Sequence, residues 1–434
     1  MKKIVAGLLI AGMLMALPTG CKKNVETPAS QEPAVSAMAG AVKRENGKQA
    51  LFELKNLQSG KKAMSDEELK KAYSQFVFGV MKNCAGLAKN KNMMISADSI
   101  LFALEMAACG ADGETLAQMT QTMVPGADNY EALRFAVERM NRLKNDSLKI
   151  ANSVWINESK TARVYQDYLE YIEKNFDAGS KAVAFGPEGV SAINKWVAEK
   201  TNGRITDLLD ELTPDDLMVL VNAVSFDGKW KNGYSDDDVW TQVFTGGDGQ
   251  KREVMFIHGK ESVYLQNEKA TGFLKDYDDG KYAFLTILPN DTAMDINEFI
   301  ANMTPEEYWT FWESRSEEFE VTTSMPEFKS EYDVQLARIL YDMGMEDAFD
   351  ERKADFSNMA TSNPCISKVI HKTFIDVNRN GTSAAAATAV VMTDECVREE
   401  PDNVKKVICD RPFAYAVVDK ETGLPVFLGT VENV

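Results

Sequence analysis

Apolar positions recur at helical spacing directly after Ser65-Asp66-Glu67-Glu68, at Leu69, Ala72, Tyr73, Phe76 and Val80. Ser65 with Glu68 three residues later is a capping box, so the pattern predicts a helix that starts there. A second apolar helix covers about Ile100 to Cys109. Ala151 to Ile156 reads as a strand, Asn194 to Glu199 as helix, and Leu217 to Phe226 as a buried apolar run. Tyr282 to Leu288 has the character of a core strand stopped by Pro289-Asn290. Thr304 followed by Pro305 supplies a capping hydroxyl and a proline at the first helical position, which predicts another helix. Val404–Ile408, Phe413–Val418 and Val426–Val431 are short apolar runs near the C-terminus. Helices and strands interleave without a βαβ rhythm and without a tandem repeat, which predicts an α+β fold around a large sheet.

The first sixty residues break this pattern. Lys2 and Lys3 precede an apolar stretch from Ile4 to Leu17, and Pro18-Thr19-Gly20-Cys21 follows. The stretch is shorter than the ~20 residues a membrane span needs, and its flanks are those of a secretory signal. The small residue before Cys21 resembles a bacterial lipobox, with the leucine at four places before the cysteine and not the usual three. The expectation is a signal peptide over residues 1–20 and a mature chain that begins at an acylated Cys21, a bacterial cell-envelope lipoprotein on the outer membrane that faces the periplasm or the outside. Residues 21–60, with Glu26-Thr27-Pro28-Ala29-Ser30-Gln31-Glu32-Pro33, bury little apolar area and read as a flexible tether. The folded domain is expected over 61–434.

Charge and composition narrow the function. Lys and Arg number 48 against 66 Asp and Glu, a net −18, and removal of Lys2 and Lys3 with the signal leaves −20. Nucleic acid and anionic lipid would be repelled, so the expected contact with a membrane is through the lipid anchor only. His258 and His371 are the only histidines, which excludes a His-rich metal site. No Gly-x-Ser-x-Gly elbow, Walker loop or dinucleotide fingerprint occurs, and no cofactor is implied. Five cysteines follow Cys21, an odd number, and buried free thiols are the plain reading for a domain of this size.

One segment stands apart. Thr373-Phe374-Ile375-Asp376-Val377 reads as a strand, and then comes Gly381-Thr382-Ser383-Ala384-Ala385-Ala386-Ala387-Thr388-Ala389-Val390-Val391. Four alanines favour helix by propensity. An acidic, turn-rich stretch follows, Met392-Thr393-Asp394-Glu395-Cys396-Val397-Arg398-Glu399-Glu400-Pro401-Asp402. From Gly381 to Pro412 there are 31 positions with no obvious packed element, and loops of that length in compact domains are usually functional.

These residues resemble the hinge of a serpin, Gly-Thr-Glu-Ala-Ala-Ala-Ala-Thr, with a departure only at Ser383. Family-like stretches continue in collinear order from about residue 65 to the end. They include Gly110-Ala111-Asp112-Gly113-Glu114-Thr115, Asn222-Ala223-Val224-Ser225-Phe226-Asp227-Gly228-Lys229-Trp230, Ser367-Lys368-Val369-Ile370-His371-Lys372 and Arg411-Pro412-Phe413. Ile95-Ser96-Ala97-Asp98-Ser99-Ile100 has Ala97 where the family has proline.

The resemblance implies a serpin fold: a large, mostly antiparallel central sheet, further sheets, eight or nine helices and an exposed reactive loop over about 379–403. It implies a monomeric inhibitor that is not an enzyme. A target protease of the serine or cysteine class attacks the loop, and the cut loop enters the main sheet as a new strand. Side chains alternate faces along a strand, so Thr382, Ala384, Ala386 and Thr388 would enter the core while Ser383, Ala385, Ala387 and Ala389 face the other way. Some fourteen residues at ~3.3 Å each make a strand of about 45 Å. Ser96, Ser99, Asn222 and His371 match the polar cluster beneath the sheet centre, and Trp230 the tryptophan where insertion begins. Family members carry an acidic residue two places before the hinge glycine and a basic one after a Leu-Pro pair on a neighbouring strand. Here these are Arg379 and Glu327, both signs reversed, which predicts a salt bridge of opposite polarity. The scissile bond usually follows the residue fourteen places after the hinge glycine, which is Glu395–Cys396; Arg398–Glu399 and Met392–Thr393 are alternatives. A non-inhibitory serpin-fold binding protein is the other reading, and a hydrolase that uses His371 a third.

Overall fold

The structure is a computed structural model of the chain and describes residues 43, 63–158, 163–382 and 403–434. The elements run α1 (Asp66–Leu87), β1 (Met93–Ile95), α2 (Ala97–Ala108), α3 (Gly113–Met123), α4 (Asn129–Leu143), β2 (Leu148–Asn157), α5 (Gln166–Phe176), β3 (Gly179–Val183) and α6 (Pro187–Lys200). Next come β4 (Met218–Phe226), β5 (Gly228–Lys229), β6 (Val239–Thr245), β7 (Lys251–Glu261), β8 (Val263–Gln266), β9 (Ala270–Asp276) and β10 (Tyr282–Pro289). The remainder is α7 (Ile296–Ala301), α8 (Pro305–Glu313), β11 (Glu320–Pro326), β12 (Phe328–Gln335), α9 (Ala337–Asp342), β13 (Ile366–Asn378), β14 (Gly381–Thr382), β15 (Val404–Ile408), β16 (Phe413–Asp419) and β17 (Pro425–Val431). Nine α-helices and three sheets therefore make an α+β fold among the described residues.

The helix starts follow the sequence signals. Ser65 and Glu68 close the capping box on α1, and Thr304 with Glu307 does the same on α8. Helix α6 begins seven residues before its predicted core, with Pro187 at its first turn and no side-chain cap on Gly186. Residues 228–276, for which the apolar pattern predicts nothing, hold five strands. In β6 and β7 burial is mostly exposed or half-buried, so apolar periodicity is weak there.

The seven-stranded sheet has the order β3-β2-β4-β13-β14-β5, with β12 on the other side of β13. Most of its pairs are antiparallel, but β2–β3 and β4–β13 are parallel. A six-stranded sheet, β1-β17-β16-β10-β9-β8, carries strands buried along their full length, such as β10, β16 and β17. The third sheet is β15-β11-β7-β6, in which β15 runs parallel to β11. Strand β15 corrects the expectation of 31 positions without a packed element: Val407 is fully buried, and the chain is ordered into the sheet from Val404.

The main core lies between the first two sheets and under α1 and α2, the latter buried on every side. A second, separate core lies on the outer face of the seven-stranded sheet. Trp155 and Trp196 meet edge to face there at 6.2 Å, and Ile205, Leu208, Leu209 and Leu212 cover Val219, Val221 and Ile370.

Candidate functional site

The seam between β4 and β13 is the centre of the site. These neighbours are parallel, in register from Met218/Ile366 to Ser225/Phe374. A strand that folds back from the end of β13 and enters between them is antiparallel to both, the more stable pairing per residue. At one end this arrangement already exists. Strand β14 turns back on β13, pairing Val377 with Thr382 and Asn378 with Gly381, and its other edge pairs with β5. Gly381 has φ +148, and a Cβ there would lie 2.1 Å from the Gly228 carbonyl oxygen. Only glycine lets the two backbones approach so closely.

The apex is packed by aromatic rings. Trp230 stacks on Tyr277 with centroids 4.7 Å apart, and its indole N–H donates to the Asn378 carbonyl at 2.8 Å. Thr382 is fully buried, with its hydroxyl 2.6 Å from that of Tyr277. The turn between β13 and β14 is held electrostatically. The Arg379 amide donates to Glu327 Oε1 at 3.0 Å, and its Nε lies 3.4 Å from the same oxygen. Its Nη1 reaches Asp236 Oδ1 at 2.8 Å. These groups are part-exposed, so the pair contributes under about 1 kcal/mol.

Beneath the seam, Asn152, Asn222 and His371 form one rung in register across β2, β4 and β13. The Asn222 amide donates to Ser99 Oγ at 2.6 Å and to Asn152 Oδ1 at 2.8 Å. The Ser96 amide donates to His371 Nε2 at 3.1 Å. That bond makes Nε2 the acceptor and leaves the proton on Nδ1, which donates to Asn222 Oδ1. Burial pushes the pKa of His371 down to about 3. With both ring nitrogens bonded and no solvent contact, the ring offers no free lone pair for a hydrolytic substrate.

The outer face of the seam is strapped by the segment after α6. Lys368 Nζ donates to the Glu211 carbonyl at 3.0 Å and pairs with Asp216 at 3.0 Å. Lys372 Nζ donates to the Asp207 carbonyl at 2.7 Å and pairs with Glu331 at 2.6 Å. An entering strand must lift this strap from Ile370 and Val221.

Of the residues singled out in the sequence, Arg379, Gly381, Thr382, Trp230 and Glu327 meet at the apex, and Ser96, Ser99, Asn222 and His371 meet below. Ser383, Ala384, Ala385, Ala386, Ala387, Thr388, Met392, Thr393, Glu395, Cys396, Arg398 and Glu399 lie outside the described residues, as does Cys21. Asn152 and the strap lysines were not found from sequence. An asparagine inside the strand Ala151–Ile156 was the available signal for the first.

The serpin (serine protease inhibitor) family profile matches residues 71–434, and the chain belongs to that family. It is 33% identical over 376 residues to serpin B8 of Homo sapiens, across 84% of this chain and 98% of that protein. It is 31% identical over 371 residues to a serpin-like protein of Thermococcus kodakarensis, across 83% and 85%. Among solved structures it resembles the thermophilic serpin tengpin in the native state, with TM-score 0.79 and 36% identity over 87% of this chain and 99% of that one. Against tengpin in the latent state the TM-score is 0.73 and the identity 34%, over 86% and 100%. The fold is thus the serpin fold.

Two outcomes follow. His371 is neutral in the native state down to about pH 3, whereas an unfolded histidine takes a proton near pH 6.5. Its contribution is therefore complete above about pH 6.5 and falls with acidification, by up to about 1.4 kcal/mol per pH unit, until about pH 3. Urea unfolding at stepped pH should show that slope reduced by about one proton in His371→Gln. A double-mutant cycle on Arg379→Ala and Glu327→Gln should give a coupling below ~1 kcal/mol that declines with added salt; a coupling of zero at low salt would remove the pair from the gate.

Proposed function

We propose that the protein is an inhibitory serpin that traps a serine or cysteine protease as an acyl-enzyme. The protease nucleophile attacks the scissile carbonyl in the reactive loop. The peptide bond breaks, the new amino terminus leaves, and the ester or thioester remains while the severed loop enters the seam. The observation that most supports this reading is β14, whose two residues already lie between β13 and β5 with Thr382 facing the core.

Length supports Glu395–Cys396 as the bond. Strand β13 has 13 residues, and the segment from Thr382 to Glu395 is fourteen long. The two match at about 45 Å. Met392 would leave the strand short and Arg398 would overrun it. Alanines at the inward positions fit a closed core without a steric or desolvation penalty.

The lipid anchor belongs to the same reading: Cys21 acylated, the tether free, and the inhibitor domain presented at the bacterial envelope. Its support is the Lys2-Lys3 start, the apolar stretch to Leu17 and Gly20-Cys21. Among the described residues no helix is long and apolar enough to cross a membrane.

Incubation with a panel of proteases should yield an SDS-stable complex, and mass spectrometry of the released peptide should place the cut after Glu395. Nicking the loop should raise the melting temperature by tens of degrees. Ala386→Arg should turn the inhibitor into a substrate, cleaved at an unchanged rate without a stable complex. Cleavage with no complex and no rise in melting in the unmodified chain would favour a non-inhibitory binder instead. Cys21→Ala should move the protein from the membrane fraction to the soluble one.

A further inference from the structure

We propose that the open edge of the four-stranded sheet, strand β6 with Trp240, Val243 and Met255, is a second docking surface for the protease, which adds an extended basic segment to it as a fifth strand. This rests on the inhibitory reading above and concerns how the protease is selected before its bond is made.

Strand β6 ends the order β15-β11-β7-β6. Its sequence, Val239-Trp240-Thr241-Gln242-Val243-Phe244-Thr245, contains no charge and no proline, the two common devices that keep an edge from pairing. The turn bond from the Gly246 amide to the Gln250 carbonyl fixes the ladder parity. Trp240, Gln242 and Phe244 therefore bond β7, while Val239, Thr241 and Val243 turn their backbone groups outward. The Thr245 amide, which also points outward, is bonded to the Asp410 carbonyl at 2.8 Å. Among the described residues no hydrogen bond reaches the outward backbone groups of Thr241 or Val243.

Each face of this edge carries an exposed apolar side chain. Trp240 is 50% exposed and stacks on the His258 ring at 3.4 Å. Val243 and Met255, 42% and 38% exposed, lie on the opposite face, where Met255 pairs with Thr241. An added strand would find an apolar neighbour on each face and free backbone partners between them.

The edge is also continuous with the loop. Asp236, in the 3-10 turn that runs into β6, holds the hinge residue Arg379 at 2.8 Å. The chain after the loop enters the same sheet at its opposite edge, through β15. Three strand spacings separate those edges, about 14 Å. A protease domain of ~220 residues has a radius of gyration of about 17 Å, so one that grips the loop is wide enough to rest on β6. The run Asp236-Asp237-Asp238 at the entrance to β6 asks for basic residues on the partner. It also opposes a second copy of this chain. With a net charge of −18, two β6 strands paired about Gln242 would set that run beside Asp248 of the other copy.

The test compares the full chain with Trp240→Ala/Val243→Lys, and with Thr241→Pro, which removes one outward donor and leaves the β7 ladder whole. The expected result is an association rate constant for the covalent complex at least tenfold lower. The Kd for the same protease with its nucleophile replaced by alanine should weaken similarly. The stoichiometry of inhibition and the rise in melting on nicking should stay unchanged. Rates and Kd within twofold of the parent would overturn the proposal. So would a parent dimer in sedimentation equilibrium that these substitutions dissociate, which would assign the edge to a second copy. If no protease gives a covalent complex with the parent, the inhibitory reading falls and the docking surface falls with it.

Discussion

The bond between His371 and Asn222 joins the two central strands through their fully buried side chains. It belongs to a rung that continues to Asn152 and is anchored from below by Ser96 and Ser99. Buried polar groups are tolerable when every partner is present and costly when one is lost. A seam opened halfway would strand the imidazole and the amide together. On the inhibitory reading the sheet would then be stable when shut, or when a new strand fills it, with intermediate widths disfavoured. Parallel alignment of β4 and β13 adds to this, since the proposed insertion would exchange one parallel ladder for two antiparallel ones.

The other features act on the same opening from different sides. Trp230 and Tyr277 close the apex, Arg379 ties the turn to Glu327 and Asp236, and the strap latched by Lys368 and Lys372 covers the outer face. Each is modest alone. Together they surround the boundary between β4 and β13, across which Val221 and Ile370 pair beneath the strap, while β10, β16 and β17 of the six-stranded sheet are buried along their full length. On the inhibitory reading, change would be confined to this one line of the fold.

Much of this was legible because function constrains residue type more tightly than packing does. Gly381 was legible through the resemblance of Gly381 to Thr388 to the serpin hinge, and the structure gives the glycine its reason, since no Cβ fits beside Gly228. His371 stood out as one of two histidines. Asn152 did not, because a lone asparagine in an apolar strand looks the same whether it caps a bulge or completes a rung. The strap was hidden for another reason: two of its latching bonds, from Lys368 and Lys372, run to the backbone carbonyls of Glu211 and Asp207, which leave no imprint on sequence. Strands β6 and β7 escaped because half-exposed faces blur the alternation on which strand reading depends.

The bond between the hydroxyls of Thr382 and Tyr277 carries a final implication. In the proposed insertion it would set the parity of the strand that continues from Thr382. Loss or gain of a single residue between Thr382 and Glu395 would exchange the two sets of side chains, turning outward members of the later sequence into the interior, whereas a change of two would keep the phase. Divergence in this segment should therefore proceed by paired insertions, and odd-numbered length variants should be those that have given up the transition.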